Sequence, residues 1–299
     1  MDDQAKLNKT TSAPPQASAQ VPSPDSSQED LPGSKHQSAA STTLPSPRHA
    51  FPPIMNAYGQ WTKLKSFNLC GATEKDRLYQ VSLHTGYSAS APLGTRPGVL
   101  LHNGMSSKDP VLAAAGYDSQ ASFYSFNNQS VVLMPPLPGA AARAGDFVTE
   151  QMPAVIRGGL LVFPFSVELD SGGKIQHEKF EWRKFKSGVD GSAKEGGFRL
   201  VRLPSSGSTR LGGEPDTVAS SSPAGGDDSE VVACLAWCKL FPTFKHAFTL
   251  QLLGRGQSGE LGERWSLMVV ITALRLWALR ANHKTSKSAI AGGQKTAGS

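Results

Sequence analysis

The segment GERWSLMVVITALRLWALRAN, residues 262–282, constrains the fold of this chain more than any other stretch of its sequence. A transmembrane helix needs about 20 apolar residues, but Arg264 and Arg280 bracket only fifteen residues here, and Arg275 interrupts them. Fifteen helical residues span about 22 Å, which is short of a hydrocarbon core of about 30 Å. The segment therefore favours a helix buried in protein, and a membrane span over residues 265–279 is the alternative.

Apolar side chains cover nearly the whole circumference of this predicted helix. Arg264, Thr272 and Arg275 fall within about 80° of one another at about 100° per residue, and the other positions are almost all apolar. A helix on the surface of an open sheet needs only one apolar stripe. We therefore expect other parts of the chain to enclose this helix on most sides.

The segments before the helix are short, apolar-rich runs separated by Gly, Pro and Asn turn signals, which is typical of antiparallel strands. Asp170-Ser171-Gly172-Gly173 predicts a hairpin turn between two of them. Together they predict a mainly β fold, a closed antiparallel β-barrel of about 11–12 strands around a hydrophobic C-terminal helix, because closure removes the sheet edges. The runs are RLYQVSLH (77–84), GVLLH (98–102), VLAAAG (111–116), ASFYSF (121–126), SVVLM (130–134) and six more between residues 146 and 253.

The predicted domain spans residues 56–282. Two segments of low complexity flank it, and a third lies within it. Residues 1–55 are rich in Ser and Pro and bury too little apolar surface to offset the entropy of ordering, so we expect a disordered arm. Residues 204–229 predict a long loop insertion between two strands. Residues 283–299 are small, polar and basic, and predict a flexible tail.

The formal net charge of +6 gives the chain a mild basic bias. Such a bias favours an anionic membrane surface or nucleic acid as a partner. The amino terminus lacks the basic and apolar regions of a signal peptide. We therefore expect an intracellular, cytoplasmic protein whose three cysteines are reduced, peripheral to membranes if it binds lipid.

The segment FEWRK, residues 180–184, is the candidate for binding an anion. Side chains alternate along a strand, so Phe180 and Trp182 would pack on the helix while basic residues occupy the other face or lie close by. Lys and Arg donate hydrogen bonds to phosphate oxygens, so this face could bind a phosphate-bearing headgroup. The alternative is an ordinary solvated face that binds nothing. Nucleic acid is not expected, because the aromatic residues lie on the core face. The candidate headgroup-binding residues are Lys179, Arg183, Lys184 and Lys186.

A run of strands that contains FEWRK and closes with an apolar helix resembles the tubby C-terminal, LURP-one-related and phospholipid-scramblase superfamily. More narrowly, the chain is similar over about residues 57–282 to fungal tubby-like proteins, in RPGVLLHNG, KDPVLAAAG, FEWRKF, EGGFRLVRL and GERWSLMVVITALRLW. The resemblance implies a barrel of about twelve strands around a helix. It also implies phosphoinositide binding, as in tubby members. A Cys-rich palmitoylation segment and a calcium-binding motif are missing from the sequence, which argues against lipid scrambling.

Two motifs suggest a cofactor or a metal only weakly. GRGQSG (254–259) fits a dinucleotide-binding pattern, but no strand with an acidic residue follows it, so we expect a turn before the helix. Cys234 and Cys238 lie four residues apart on a predicted strand, with His246 as a further ligand. A structural zinc site needs four ligands. We therefore expect small core residues here, and neither a metal nor a cofactor.

A hydrolytic site is also weakly indicated. His84, His102 and Asp109 accompany Ser106 and Ser107, but no serine lies in a nucleophile elbow. Glu178 and Glu181 are separated by an odd number of residues, so they should lie on opposite strand faces and not share a proton. We expect a non-enzymatic barrel that binds phosphoinositides or an anionic membrane surface. The alternatives are a protein-interaction scaffold that uses the arm, and a protein anchored by its C-terminal helix.

Overall fold

Thirteen strands and two helices form the part of the chain that the computed structural model describes, residues 46–59, 65–120, 129–137, 145–171, 174–186, 196–204, 229–238, 245–288 and 290. The helices are α1 (Arg255–Ser258) and α2 (Gly262–Ala281). The strands are β1 (Ile54–Tyr58), β2 (Ser66–Cys70), β3 (Arg77–His84), β4 (Gly98–His102), β5 (Val111–Tyr117), β6 (Ser130–Met134), β7 (Val148–Met152), β8 (Val155–Arg157), β9 (Leu160–Ser171), β10 (Lys174–Phe185), β11 (Gly197–Arg202), β12 (Glu230–Trp237) and β13 (His246–Leu252).

All thirteen strands belong to one antiparallel sheet, in the order β7-β6-β5-β4-β3-β2-β1-β13-β12-β11-β10-β9-β8. Consecutive strands pair with each other, except that β13 pairs with β1 and β7 does not pair with β8. The first and last strands of the chain therefore lie side by side in the middle of the sheet. Short connections between neighbours are typical of antiparallel sheets.

The helix α2 lies against the inner face of this sheet, which curves around it. It contacts β4, β5 and β6 from one half of the strand order and β9 and β13 from the other. Trp265 and every residue from Leu267 to Leu279 are buried. Each fully buried Leu, Val or Ile contributes about 1.5–3 kcal/mol to the free energy of folding, so this helix is the centre of the hydrophobic core. The expectation of an enclosed helix is confirmed.

Two polar side chains of α2 make hydrogen bonds inside the core. The Thr272 hydroxyl donates to the Met268 carbonyl at 2.7 Å, and accepts a hydrogen bond from the Trp182 indole N–H at 3.0 Å. The Arg275 guanidinium donates from Nε to Ser130 Oγ at 2.9 Å, and its central carbon lies 3.9 Å from the ring centroid of Tyr117. Of the polar stripe predicted on the helix, Thr272 and Arg275 are therefore buried, whereas Arg264 is partly exposed.

The expected closure of the sheet into a barrel is wrong, because no ladder joins β7 to β8 among the described residues. Only Pro153 and Ala154 connect these two strands, so the sheet edges lie close together in space. Ser166 on β9 donates to Glu150 on β7 at 3.4 Å, which is a side-chain contact across the gap. Pro153 has no N–H for a ladder, and β8 contains only three residues. This edge therefore offers few of the hydrogen bonds that closure requires.

Most predicted strands agree with the observed ones where the chain is described. β3, β4 and β6 have the predicted bounds, and β9 pairs with β10 from Ser171 and Lys174 onward, as the hairpin signal indicated. The run DFVTEQMPAVI divides at Pro153 into β7 and β8. Sequence reasoning missed β1 and β2, and ASFYSF (121–126) lies outside the described residues.

The predicted low-complexity segments are described only in part. Residues 1–45 of the arm and 205–228 of the insertion lie outside the described residues, and β1 begins at Ile54. In the predicted tail, Ile290 is buried against the core, and the Lys284 ammonium lies 4.6 Å from the centroid of the Tyr117 ring. The described residues of the tail therefore pack on the domain.

The alternative of a membrane span over residues 265–279 finds no support in the dimensions of the helices. None of the helices within the described ranges combines the length and the apolar character that crossing a bilayer requires.

Candidate anion-binding site

The C-terminal end of α2 is closed by a turn that places several polar residues beside the sheet. The His283 N–H donates to the Arg280 carbonyl at 2.9 Å, and the Lys284 N–H donates to the Leu279 carbonyl at 2.8 Å. This pair of bonds is a Schellman motif, in which the residue after the helix takes a left-handed conformation. His283 has φ of 58° and occupies that position. The turn directs the following residues, 284–288, back towards the end of the helix.

Lys184 reaches the same end of the helix from the sheet. It lies two residues after Trp182 on β10, so the two side chains share the inner face of the strand. Trp182 packs against the middle of α2, and Lys184 lies where the strand passes the end of the helix. Its ammonium donates to the Thr285 carbonyl at 2.5 Å. This bond joins β10 to the turn.

A cavity of about 660 Å³ opens between β10, β12 and the turn. None of its described lining residues is acidic. Pockets that hold a small ligand have volumes of about 300–1,000 Å³. We call this cavity the basic pocket. Its lining includes Lys184, Arg280, His283, Thr285 and Ser286, with the indoles of Trp237 and Trp277.

The basic pocket disfavours additional positive charge. Burial lowers the pKa of Lys184, and the nearby cations Arg280 and Lys287 lower it further. The Arg280 guanidinium lies 4.7 Å from the ring centroid of Trp237, over its electron-rich face. A bound anion would stabilise the protonated ammonium of Lys184 and raise its pKa. The electrostatics of the pocket therefore suit an anionic group.

The structure separates the four predicted headgroup residues. Lys184 lines the basic pocket, whereas Lys179 and Arg183 lie on the other face of β10. Lys186 is exposed just beyond the end of the strand. The backbone carbonyl of Lys179 accepts a hydrogen bond from the Leu203 N–H at 2.9 Å. Only one of the four predicted residues therefore belongs to the pocket.

The outer face of β10 is not the exposed basic stripe that alternation predicted. Glu181 is only 2% exposed, and its two oxygens accept hydrogen bonds from Arg157 at 2.7 Å and from Arg183 at 2.6 Å. Glu178, on the opposite face of the strand, accepts a hydrogen bond from Arg202 at 2.6 Å. On the outer face, Glu181 therefore neutralises Arg157 and Arg183. Glu181 lies on the face that was predicted to be basic and solvated, but it is buried and paired with Arg157 and Arg183.

Sequence reasoning missed Arg280 and His283 as members of the pocket. The basic character of the chain near residue 280 was visible, but Lys184 is about 100 positions away in the sequence. Arg280 and His283 lie near Lys184 because α2 ends beside β10. The tail residues Thr285 and Ser286 line the same pocket for the same reason.

The glycine motif GRGQSG forms the short helix α1 and the turn before α2. Gly254 and Gly259 have φ of 49° and 81°, which only glycine adopts readily. A Cβ added to Gly256 would lie 2.3 Å from the Trp265 ring. The glycines therefore let the chain turn tightly against the buried end of α2.

The residues weighed as a hydrolytic set are held by local hydrogen bonds. His84 Nε2 lies 2.6 Å from the Gly94 carbonyl, and His102 contacts the Asp109 carbonyl and Ser82 Oγ, each at 2.9 Å. Asp109 accepts a hydrogen bond from the Ser106 N–H at 2.8 Å. These contacts stabilise the loops between β3, β4 and β5.

Cys234 and Cys238 are half-buried rather than core residues. Cys238 lies just beyond the end of β12 and lines the basic pocket. Its sulfur is 3.5 Å from Nε2 of His246, so the structure brings together two of the residues that were weighed as metal ligands. Within the described ranges, no group of three or more His, Cys, Asp or Glu residues has the arrangement of a metal site.

Comparison with known proteins adds no relative to this description. No family model matches the chain, and neither the curated proteins nor the solved structures contain a match to it.

Proposed function

We propose that this protein is a non-enzymatic module that binds phosphate-bearing lipid headgroups at an anionic membrane surface, through the basic pocket at the end of α2. The convergence of Lys184, Arg280 and His283 in a cavity without an acidic lining residue carries this proposal. Ammonium and guanidinium groups form short, charge-assisted hydrogen bonds with phosphate oxygens. The hydroxyls of Thr285 and Ser286 supply further polar groups at the same site.

The shape of the fold agrees with a binding role. The pocket lies at one end of α2, and Trp237 and Trp277 line it. The helix and the strands around it are buried and fixed by packing, so Lys184 on β10 and Arg280 on α2 are held on rigid elements. Pre-organised groups lose less entropy when a ligand binds.

Membership of the tubby-like superfamily is part of the same proposal. A single antiparallel sheet that curves around a buried C-terminal helix supports it. The open edge between β7 and β8 is a difference from the closed barrel that the resemblance implies.

Vesicle flotation tests the proposed function. The full chain is mixed with vesicles of phosphatidylcholine alone, with added phosphatidylserine, or with added phosphoinositide. We expect binding to require anionic lipid, to be strongest with phosphoinositide, and to weaken with salt because surface charges are screened. Soluble inositol phosphate should compete with the vesicles. Equal binding to all three vesicle types, or none, would reject the proposal.

Two lysines on the same strand provide a matched pair of variants. Lys184→Met removes a charge from the pocket, whereas Lys179→Met removes an exposed charge from the opposite face of β10. We expect Lys184→Met to weaken binding about tenfold, the equivalent of about 1.4 kcal/mol, and Lys179→Met to weaken it much less. Equal effects would indicate attraction by overall charge rather than a pocket.

His283→Gly separates binding from folding. Glycine adopts the left-handed conformation of this position more readily than histidine, so the variant should melt at the same temperature or higher. It should nevertheless bind headgroups more weakly, because the imidazole is lost from the pocket. If the protein is instead an interaction scaffold that does not bind lipid, neither Lys184→Met nor His283→Gly should change its association with vesicles.

A further inference from the structure

The antiparallel order of the sheet assigns each connection between strands to one of two ends of the domain. Neighbouring strands alternate in direction, so β1, β3, β5, β8, β10 and β12 all finish at the same end. The C-terminus of α2 lies there as well, because Arg280 and Lys184 line one pocket beside the end of β10. We call this the basic end. It comprises the connections that follow these six strands, together with residues 282–290.

Positive charge dominates the basic end outside the pocket as well as within it. Asp118 is the only acidic residue in the described parts of its connections and of the tail. A surface of one charge sign attracts partners of the opposite sign over a distance. The lysines exposed at this end are Lys65, Lys186, Lys245 and Lys287.

The opposite end of the domain, where α2 begins, carries both signs of charge. Acidic and basic residues alternate in its connections, so their long-range fields largely cancel. The two ends therefore differ in charge as well as in position. The described connections at the opposite end contain the acids Glu74, Asp76, Asp109, Asp146 and Glu260 and the bases Lys75, Lys108 and Arg255.

An exposed aromatic ring projects from the basic end, in the connection between β3 and β4 (residues 85–97). Gly86 has φ of 79°, and a Cβ there would lie 2.4 Å from the Thr95 carbonyl oxygen, so the chain turns tightly before Tyr87. Leu93 fixes the loop, because its side chain is buried. Tyr87 itself is 84% exposed. Tyrosine has an apolar ring and a polar tip, which suit the interface between a bilayer and water.

A second apolar projection at the basic end is the hairpin between β8 and β9. Gly158 and Gly159 have φ of 54° and 72° and form its turn. Leu160 follows this turn and is 49% exposed, and Ile156 before it is also exposed. The hairpin therefore presents aliphatic side chains at the same end as Tyr87.

Positive charge and exposed apolar side chains together indicate the kind of partner. The opposite end also has an exposed apolar residue, Met105, which is 59% exposed. Of the two ends, as far as they are described, only the basic end combines such residues with an excess of positive charge. Binding to an anionic bilayer depends on both the apolar area inserted and the attraction to anionic lipids.

We propose that the basic end is the face with which the domain docks on an anionic phospholipid bilayer, so that the C-terminus of α2 points at the membrane. This inference rests on the proposed headgroup function and adds an orientation to it. The pocket holds one headgroup, and the exposed lysines face the surrounding anionic headgroups. Tyr87 and Leu160 enter the layer between headgroups and acyl chains.

Matched variants at the two ends test this docking face by flotation with phosphatidylserine vesicles. Lys245→Met and Tyr87→Ala alter the basic end outside the pocket, whereas Lys108→Met and Met105→Ala make comparable changes at the opposite end. We expect Lys245→Met to weaken binding about fivefold, the contribution of one lysine near an anionic surface. Tyr87→Ala should weaken it by a similar factor. The two variants at the opposite end should bind like the wild type, and thermal melting confirms that all four are folded.

Quenching of tryptophan fluorescence by brominated lipids tests the orientation directly. Tyr87→Trp and Met105→Trp each add one exposed indole, at the basic end and at the opposite end respectively. The wild type gives the background from its five tryptophans. With phosphatidylserine vesicles that contain lipids brominated in their acyl chains, we expect additional quenching for Tyr87→Trp and none for Met105→Trp. Any other pattern would overturn the orientation.

The outcomes distinguish the docking face from the headgroup pocket. Weak binding of Lys184→Met, with normal binding of Tyr87→Ala and Lys245→Met, would keep the pocket and overturn the docking face. The reverse pattern would support the docking face and reject the pocket. Weak binding of Lys245→Met with normal binding of Tyr87→Ala would show attraction by charge alone and overturn the insertion. A wild type that binds no anionic vesicle would reject both proposals.

Discussion

Individual residues on β10 serve the core and the pocket in turn. Trp182 is fully buried, and its indole N–H donates to Thr272 in the centre of α2. Lys184 lies two residues further along the same face, where the helix ends, and therefore lines a cavity instead of a packed interior. The same inward orientation gives a core residue in one place and a candidate binding residue in the next.

Trp182→Ala should lower the free energy of unfolding by about 3–5 kcal/mol, because truncating a large buried aromatic residue leaves a cavity. Chemical denaturation measures this loss. Thr272→Val removes only the hydroxyl of the shared hydrogen bond and should cost less. Tyr87→Ala is the surface control, since Tyr87 is 84% exposed, and it should change little. An unchanged midpoint for Trp182→Ala would place the indole outside the core.

Lys284 should make stability depend on pH in the alkaline range. Burial, and then the nearby Arg275, lower the pKa of Lys284 from 10.5 to about 8 in the folded protein. Between these two values the unfolded chain binds more protons than the folded one, so stability rises with pH. We expect the stability of the wild type relative to Lys284→Met to increase from pH 8 towards pH 10.5. Denaturation of both proteins at several pH values measures this difference in stability. A difference that does not change with pH would contradict the lowered pKa of Lys284.

At the scale of elements, α2 is the part on which the sheet depends. It is buried on nearly every side and contacts strands from both halves of the sheet. The inner faces of those strands carry residues such as Phe180, Phe248 and Leu250, which are fully buried. Without the helix these residues would face an empty interior, so the strands and the helix stabilise each other.

Val270→Asp should unfold the domain or make it insoluble. Val270 is fully buried in the middle of α2, and a lone carboxylate there must take up a proton or open the core, at a cost of several kcal/mol. Val231→Asp is the matched control, because Val231 is 36% exposed on β12. Solubility and cooperative melting distinguish the two variants. Deletion of residues 264–280 should resemble Val270→Asp, and a cooperatively melting product would refute the role assigned to the helix.

The whole molecule has a chain path that brings its distant parts together. The chain moves outward from β1 to β7, crosses to β8 at the other end of the strand order, and returns to β13 beside β1. β11 and β12 are direct neighbours although residues 203–229 separate them in the sequence. The pairing of the sheet therefore does not require that long segment.

Removal of residues 1–45 and replacement of 205–228 with a short Gly/Ser linker should leave a folded domain. Described residues on both sides of the insertion pair β11 with β12, and α2 packs on described strands. Loop length has a small effect on closure entropy. Thermal melting of the shortened chain should remain cooperative and lie near that of the full chain. Loss of cooperative melting would show that one of these segments is part of the core.

The sequence alone was sufficient to predict the mainly β class, most strands and the enclosed helix, because apolar periodicity and turn residues act locally. It also placed Trp182 inward and Lys184 among the headgroup candidates. The open sheet edge, the burial of Glu181 by Arg157 and Arg183, and the meeting of Lys184 with Arg280 and Cys238 were decided only by the tertiary structure. Each of these features depends on contacts between residues far apart in the chain, and no local pattern records where strands and helix meet.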